Sequence, residues 1–323
     1  MAVETLDFEE PIAVLLKEIE ALTLLPRTDA RDREIESLRR RVESVREELY
    51  RTLTPWQRVS VARHPARPGL HEYIDRLFAE FVEIHGDRRF ADDHAIMTGF
   101  ATYKGQAVLL VGHVKGTDTK EKIFRNFGYA RPEGYRKALR TMKLAEKFHR
   151  PIIVFVDTPA AYPGIESEER GVAEAIAVNL REMMMIDTPI IVIVSGEGGS
   201  GGALGIAIGD SVMMQEFSIY SVIPPEGCAA ILWRDSAKKV EAADALKLTA
   251  PDLLAAGIID EIIPEPTGGA QTDHDAAARL LDEALARVLT QISAMSSDQR
   301  LERRYDKFRM MGKLDADFVD EGS

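Results

Sequence analysis

Residues 190–210, IIVIVSGEGGSGGALGIAIGD, carry the most informative pattern in the chain. An apolar run typical of a buried strand enters a glycine-dense turn, and the small residues that follow predict a helix over 203–208. Glycine lets a ligand approach the backbone closely, and the first amides of a helix lack intrahelical acceptors. The pattern predicts an anion or oxyanion site at this turn. The alternative is purely structural, since glycines also allow a helix and a strand to pack closely.

Two short motifs match the same turn and indicate other activities. Gly196, Gly198 and Gly201 spell G-x-G-x-x-G, the fingerprint of a dinucleotide-binding fold. That fingerprint normally lies in the first β-α-β unit, whereas about 190 residues precede it here. Glu216 only roughly matches the acidic residue that such a fold places about 20 residues later.

The second motif is G-x-S-x-G, the nucleophile elbow of serine hydrolases, spelled by Gly198, Ser200 and Gly202. A hydrolase of this kind needs an acid and then a histidine further along the chain. His274 alone follows Ser200, in a polar loop that we expect to be exposed. The seven histidines are scattered with no i, i+4 pair, so the sequence predicts no metal site.

A second turn, DTPAAYPGIESEERG at 157–171, follows the apolar run 152–156. Ligands of α/β folds bind at the carboxyl ends of strands, so both turns are expected to line one crevice. Tyr162 suits the wall of a pocket as well as it suits proton donation. Arg170 could bind a carboxylate through two hydrogen bonds, or form an exchangeable surface pair with Glu166 or Glu174.

The hydrophobic pattern predicts a layered α/β core with helices before and after it. The predicted strands and helices of the core alternate: strands 95–103, 107–115, 152–156, 190–195, 211–215 and 219–223, and helices 132–148 and 168–185. Before the core, apolar residues at alternating spacings of three and four mark an amphipathic helix: Ile35, Leu38, Val42, Val45 and Leu49. This helix is expected to form a hairpin with segment 12–25, or to act as a docking arm. Two C-terminal helices are predicted, over 276–294 and around 300–313.

These patterns predict four regions along the chain. They are a helical segment (1–70), a catalytic core (71–265), C-terminal helices (266–312) and an acidic tail (313–323) that is disordered.

Composition excludes several classes of protein. The net charge of −12 argues against nucleic acid as the main partner, because phosphate binding needs a basic face. A single cysteine, Cys228, excludes an internal disulfide and a multi-cysteine zinc site. The acidic N-terminus lacks the pattern of a signal peptide, and no apolar run approaches the roughly 20 residues that a membrane span needs. We therefore expect a soluble, cytoplasmic chain without a metal of its own.

Segment 115–150 is a basic island in this acidic chain. It holds eleven Lys or Arg against four Asp or Glu, a local net charge of +7. Such a surface suits an anionic ligand, such as a CoA phosphate, or an acidic partner protein. A solvated helix face is the alternative for the 136–150 part.

Several segments, in the same order along nearly the whole chain, resemble the carboxyltransferase α subunits of bacterial acetyl-CoA carboxylases. They are HVKGTDTKEKIFRNFG (113–128), PEGYRKALR (132–140), the two turns above, SVIPPEGCAAILW (221–233) and IDEIIPEPTGGA (259–270). The resemblance implies a crotonase-like (ClpP/crotonase) spiral of ββα units, with an N-terminal helical extension and C-terminal helices.

The resemblance also implies an activity and its partners. The expected reaction transfers CO₂ from carboxybiotin, held on a biotin carboxyl carrier protein, to acetyl-CoA, giving malonyl-CoA for fatty acid synthesis. A zinc-bearing β subunit in an α₂β₂ assembly and a biotin carboxylase are the expected partners. Within the chain, the resemblance implies that the amides of Gly201 and Gly202 are catalytic. It implies a biotin-binding wall from the remaining residues of the two turns: Ala160, Ala161, Tyr162, Pro163, Gly164, Arg170, Gly198 and Gly199.

The chain departs from the family at one position. The family pattern D-T-P-G-A-Y-P-G has a glycine where this chain has Ala160. A left-handed backbone at that position would cost alanine about 1 kcal/mol or more, whereas an ordinary conformation would tolerate it. Ala160 therefore leaves open an inactive paralogue that binds the β subunit. Independently of this position, a different crotonase-fold acyl-CoA enzyme that acts alone (a hydratase, isomerase or decarboxylase) is the main alternative.

Overall fold

The computed structural model describes residues 5–312. A single 3₁₀ turn (Asp7–Glu9) leads into α1 (Glu10–Thr23) and α2 (Asp29–Arg51), which pack side by side. The side chain of Thr28 caps α2 by accepting the N–H of Arg31. The predicted apolar seam of α2 packs on the apolar face of α1, with Ile12, Leu15 and Val42 buried between them.

One mixed sheet of eight strands forms the centre of the described chain. The strands are β1 (Ala79–Glu83), β2 (Ile96–Tyr103), β3 (Gln106–His113), β4 (Ile152–Thr158), β5 (Ile190–Gly199), β6 (Ser211–Gln215), β7 (Ile219–Ser221) and β8 (Glu261–Ile263). Their order is β1-β2-β3-β4-β5-β6-β8, and β7 pairs with the end of β5. The β1–β3 pairs are antiparallel and the others parallel, so β3, β4 and β5 end at one edge.

Helices cover both faces of this sheet. They are α3 (Pro55–Ala62), α4 (Leu70–Leu77), α5 (Thr119–Phe124), α6 (Pro132–Lys147), α7 (Ile165–Glu169), α8 (Val172–Met185), α9 (Ser200–Leu204), α10 (Pro225–Trp233), α11 (Lys239–Ala245), α12 (Ala250–Ala255), α13 (His274–Ser293) and α14 (Ser297–Met310). One core lies between the sheet and α6 and α8, and the other between the sheet and α4 and α13. Burial from both sides explains why all ten residues of β5 are buried.

Buried charge fastens the C-terminal helix to the core. The guanidinium of Arg304, which is fully buried, donates two hydrogen bonds to Asp210 at 2.9 and 2.8 Å. It also donates to the carbonyls of Met183 and Ile186 at the end of α8. No helix among residues 5–312 combines the length and apolar character that crossing a bilayer requires. The predicted acidic tail, 313–323, lies outside the described residues.

The predicted core elements are confirmed with two corrections, while two strands and the short helices α5, α10, α11 and α12 were not predicted. The helix predicted over 168–185 is broken, because Gly171 adopts a left-handed backbone (φ 76°) that separates α7 from α8. The helix predicted at 203–208 begins three residues earlier, at Ser200, and ends at Leu204. The short edge strands β1 and β8 were not predicted, because neither has a strong apolar alternation. The division into four regions stays a prediction.

Candidate functional site

The turns that follow β4 and β5 touch each other through glycine. A Cβ at Gly199 would lie 1.8 Å from the carbonyl oxygen of Pro159, and one at Gly202 would lie 2.3 Å from the Ala160 carbonyl carbon and the Ala161 nitrogen. These distances are far inside contact range, so only glycine fits at either position. Close approach of two backbones is therefore the local reason for the glycine-rich sequence.

The amides of Gly201 and Gly202 are free of protein acceptors. Both residues lie in the first turn of α9, where intrahelical acceptors are missing, and no acceptor among residues 5–312 takes either N–H. Gly202 is buried and Gly201 half-buried. A buried N–H without a partner is costly, and a bound oxyanion would satisfy it.

Gly198 and Gly199 pair with neighbouring strands, unlike Gly201 and Gly202. Gly198 pairs with Thr158 of β4 on one side and with Tyr220 of β7 on the other. Gly199 pairs with Ser221. These contacts fix the direction in which β5 enters α9, which makes both glycines part of the sheet.

Alanine fits at position 160. Ala160 is absent from the residues with a left-handed backbone, so its methyl group costs no conformational strain. Its carbonyl accepts a hydrogen bond from the Thr158 hydroxyl at 2.9 Å, and no acceptor in the described chain takes its N–H. The departure from the family pattern therefore leaves the turn geometry intact.

The rest of this turn packs against the start of α6. The N–H of Tyr162 donates to the Ala130 carbonyl at 2.9 Å, and the Arg131 guanidinium lies 4.8 Å from the centre of the Tyr162 ring. Pro163 is exposed. A Cβ at Gly164 would lie 2.3 Å from Tyr162 Cε1, so glycine lets the ring fold back over the chain.

Arg170 pairs with a residue that neither sequence alternative named. Its Nε donates to the buried carboxylate of Glu133 at 2.6 Å, and its guanidinium lies 4.8 Å from the centre of the Phe90 ring. Of the two alternatives, the surface pair with Glu166 or Glu174 is not the one formed. Arg170 binds one carboxylate through two hydrogen bonds, the second from Nη2 to Glu133 Oε2 at 3.5 Å. The hydrogen bond to Glu133 raises the pKa of Arg170, so this side chain is a fixed cation.

A buried charge network joins the ends of three strands, and the sequence did not predict it. Lys115 Nζ lies 2.6 Å from Asp157 Oδ1 and 3.6 Å from Glu197 Oε2. The N–H of Glu197 donates to the same Asp157 oxygen at 2.9 Å. Arg63 of the segment after α3 binds Glu197 at 2.6 Å. Burial opposes the charge on Lys115, but the two carboxylates outweigh it and raise its pKa.

His113 lies buried beside this network, near the backbone of Gly202 and Phe155. Its side chain is 1% exposed, and neither ring nitrogen makes a hydrogen bond within the described chain. Burial, with the nearby charge of Lys115, lowers the pKa of His113 to about 3. The imidazole is therefore neutral at physiological pH. It borders a cavity of about 140 Å³ that Lys115, Asp157 and Arg63 also line.

The structure also bears on the two short motifs. Ser200 has a left-handed backbone (φ 54°) at a strand-to-helix turn, as a nucleophile elbow would have. However, no hydrogen bond joins Ser200 to a histidine in the described chain, and His274 Nε2 lies 2.8 Å from the Ala66 carbonyl oxygen instead. Glu216 follows β6 directly, but its carboxylate accepts the N–H of Glu265. Among residues 5–312, no cluster of three His, Cys, Asp or Glu side chains has a metal-binding arrangement.

Solved structures identify the class of fold. A transcarboxylase 12S structure superposes with a TM-score of 0.56 at 20% identity, covering 70% of this chain and 42% of that chain. A Pseudomonas malonate decarboxylase hetero-tetramer gives 0.55 at 17% identity, covering 67% of this chain and 86% of that one. The chain thus has a crotonase-like α/β fold, as expected.

Sequence relatives identify the family. Residues 5–312 match the family described as acetyl co-enzyme A carboxylase carboxyltransferase-like. The acetyl-coenzyme A carboxylase carboxyl transferase subunit alpha of Geobacter metallireducens is 55% identical over 96% of this chain and 98% of its own length. The Geobacter sulfurreducens protein of the same name is 57% identical over 85% of this chain and 86% of its own length. The chain belongs to this family.

Proposed function

We propose that this chain is the α subunit of an acetyl-CoA carboxylase carboxyltransferase. With a β subunit, it transfers a carboxyl group from carboxybiotin on a carrier protein to acetyl-CoA, and the product is malonyl-CoA. A biotin carboxylase recharges the carrier. The relatives that share more than half of its residues are named as this subunit, which supports the proposal.

The observation that carries the biotin-side role is the pair of free amides at Gly201 and Gly202. They lie at the positive end of α9 and against the backbone of the 160–161 turn. Preorganised amides stabilise developing negative charge on oxygen without any proton transfer to a side chain. Carboxybiotin, when bound, supplies the carboxyl group and a ureido oxygen that suits such donors.

We place Arg170 and Tyr162 in the wall of the biotin site, and internal contacts hold both side chains. Arg170 is held by Glu133, and Tyr162 is held by Ala130 and Arg131. Because these contacts are internal, the crevice keeps its shape without a ligand, and proximity of the two substrates then contributes to the rate. The unstrained backbone of Ala160 removes the one feature that suggested an inactive paralogue.

Reconstitution tests this function directly. The assay mixes the chain with a β subunit of the same family, biotinylated carrier and acetyl-CoA. We expect malonyl-CoA to form when the carrier is carboxylated. Hydration or isomerisation of an acyl-CoA by the chain alone, with no carboxyl transfer in the mixture, would instead identify another crotonase-fold enzyme.

A further inference from the structure

The outward face of α6 carries a stripe of basic side chains. Arg136, Arg140, Lys143 and Lys147 are spaced by four, three and four residues, so they lie along one side of the helix. The opposite side is core, with Tyr135, Ala138, Met142 and Ala145 fully buried. Four of the eleven basic residues of the island therefore share one side of α6, where Lys147 is exposed and the other three are half-buried, while the rest of the chain outside 115–150 has a net charge of −19.

Acidic neighbours neutralise this strip only in part. Arg136 pairs with Asp87 at 2.8 Å, and Lys143 pairs with Glu146 and with Glu182 of α8. Arg140 donates to the carbonyls of His85 and Gly86 and has no carboxylate within 4 Å in the described chain.

The loop before β2 adds more positive charge beside α6. Arg88 and Arg89 are exposed, and neither they nor Lys147 has a carboxylate within 4 Å among residues 5–312. Burial, and after it the positive charge of Arg88, lowers the pKa of Arg140. A groove of about 360 Å³ runs between α6 and α8, with Glu174 and Glu182 on its α8 side.

The strip begins at the wall of the candidate site. Arg131, at the start of α6, lies over Tyr162, and Arg136 donates to the carbonyl of Arg170 at 3.0 Å. From residue 131 to residue 147 the helix extends about 24 Å away from this wall. A protein that rests on the strip would therefore lie beside Tyr162 and Arg170.

We propose that this strip, with Arg88 and Arg89, is the docking surface for the biotin carrier, through an acidic surface beside its biotinyl-lysine. The proposal rests on the proposed function. A carrier must arrive and leave in every cycle, and complementary charge raises the rate of encounter without a large apolar interface. A permanent subunit interface is more apolar, as is the surface around α10, where Val222, Ile231 and Leu232 are strongly exposed. Beside the strip, Phe90 and Phe148 are the exposed apolar neighbours of Arg89 and Lys147.

The test compares two biotin substrates of the assembled αβ enzyme. Malonyl-CoA-dependent carboxylation is measured with biotinylated carrier and, separately, with free biotin. The variant R88E/R89E/K147E reverses three charges that make no ion pair in the described chain. We expect its KM for the carrier to rise about tenfold at about 50 mM salt. The rise should shrink to less than about threefold at about 500 mM salt, because salt screens exposed charges.

A matched variant and two other substrates isolate the effect. R39E/K238E/R309E changes net charge equally on exposed residues elsewhere that also make no ion pair in the described chain, and it should leave every parameter within about twofold. The KM values of R88E/R89E/K147E for free biotin and malonyl-CoA should also stay within about twofold. An unchanged KM for the carrier would overturn the docking proposal but not the proposed function.

Other results would assign the strip to another ligand. A raised KM for malonyl-CoA would mean that the strip binds CoA phosphates. Loss of αβ assembly in size-exclusion chromatography would mean that the strip contacts the β subunit. Wild-type enzyme that is inactive with both biotin substrates would overturn the proposed function itself, and the docking proposal with it.

Discussion

Gly201 and Gly202 are adjacent but tolerate a side chain differently. A Cβ at Gly201 would meet only Ile176 Cδ1, at an ordinary 3.6 Å, whereas one at Gly202 would collide with the Ala160–Ala161 peptide at 2.3 Å. Both substitutions to alanine keep the N–H. A difference between the two variants therefore reports displaced backbone geometry, since neither variant removes a donor.

We expect Gly202→Ala to reduce carboxyl transfer by about 10²–10³-fold, because the displaced turn misplaces at least one amide. Gly201→Ala should stay within about fivefold of wild type. The measurement is kcat of the αβ enzyme with biotinylated carrier, with circular dichroism as a check of folding. Equal losses in the two variants would contradict the geometric distinction.

Ser200 provides a second test at the same turn. Because its backbone is left-handed (φ 54°), Ser200→Gly should raise the free energy of unfolding by about 1 kcal/mol, and Ser200→Ala should change it little. Both variants should keep carboxyl transfer within about tenfold. A loss of several orders of magnitude in Ser200→Ala, with the fold intact, would restore the serine-nucleophile interpretation.

His113 should make stability sensitive to acid. Its pKa is about 3 in the folded chain against 6.5 for the free side chain, so below 6.5 the unfolded state binds a proton that the folded state does not. Folding stability should therefore fall by up to about 1.4 kcal/mol per pH unit below 6.5. Above pH 6.5 the effect should vanish.

The measurement for His113 is urea unfolding of wild type and His113→Gln across this pH range. Below pH 6.5, the free energy of unfolding of the variant should fall less steeply with decreasing pH than that of wild type. The difference in slope should equal the contribution of one proton. Parallel profiles would mean that the histidine is hydrated or paired in solution.

At the scale of elements, the charge network joins the carboxyl ends of β3, β4 and β5. Lys115 and Asp157 are 25% and 19% exposed in their side chains, so their ion pair is largely desolvated. Removing one partner leaves an unpaired charge, and we expect Lys115→Met or Asp157→Asn to cost about 2–4 kcal/mol of unfolding free energy. The amide oxygen that Asp157→Asn introduces can still accept the Glu197 N–H, so the loss reports the charge.

The double variant Lys115→Met/Asp157→Asn serves as the control for this prediction. The double variant should lose about 1–2 kcal/mol less unfolding free energy than the sum of the losses in the two single variants. The measurement is a double-mutant cycle in urea at neutral pH. Additive losses would mean that the two side chains do not stabilise one another.

The sequence predicted the elements well where periodicity is strong and failed where partners are distant. Continuous apolar runs specify β4 and β5, since a strand buried on both faces has no polar alternation. The Arg63–Glu197 contact joins residues 134 positions apart, and no local pattern encodes it. The glycine turn was predicted because the close approach of two backbones leaves a local signature in the sequence, a run of glycines. The partner of Arg170 was not predicted, because it depends on where α6 packs in the folded chain.

At the scale of the whole molecule, the proposed function divides the active site between two subunits. The described chain offers free amides and a half-buried ion network, but no side-chain base hydrogen-bonded to a nucleophile at the two turns. In the proposed function, a β subunit provides the second oxyanion site, for the acyl thioester. We therefore expect the isolated chain to decarboxylate malonyl-CoA at less than about 1% of the αβ rate, a barrier difference of at least about 2.7 kcal/mol.

The measurement is release of acetyl-CoA from malonyl-CoA by the chain alone, by β alone and by the mixture, each with free biotin present. Metal analysis of the same samples should find zinc in β and less than about 0.1 equivalent in this chain, since the described part has one cysteine and no clustered ligands. The αβ enzyme with Gly202→Ala is the control, because it should assemble normally and still fail to turn over. Turnover by the isolated chain, or stoichiometric zinc in it, would contradict a shared active site and would favour a self-contained acyl-CoA enzyme.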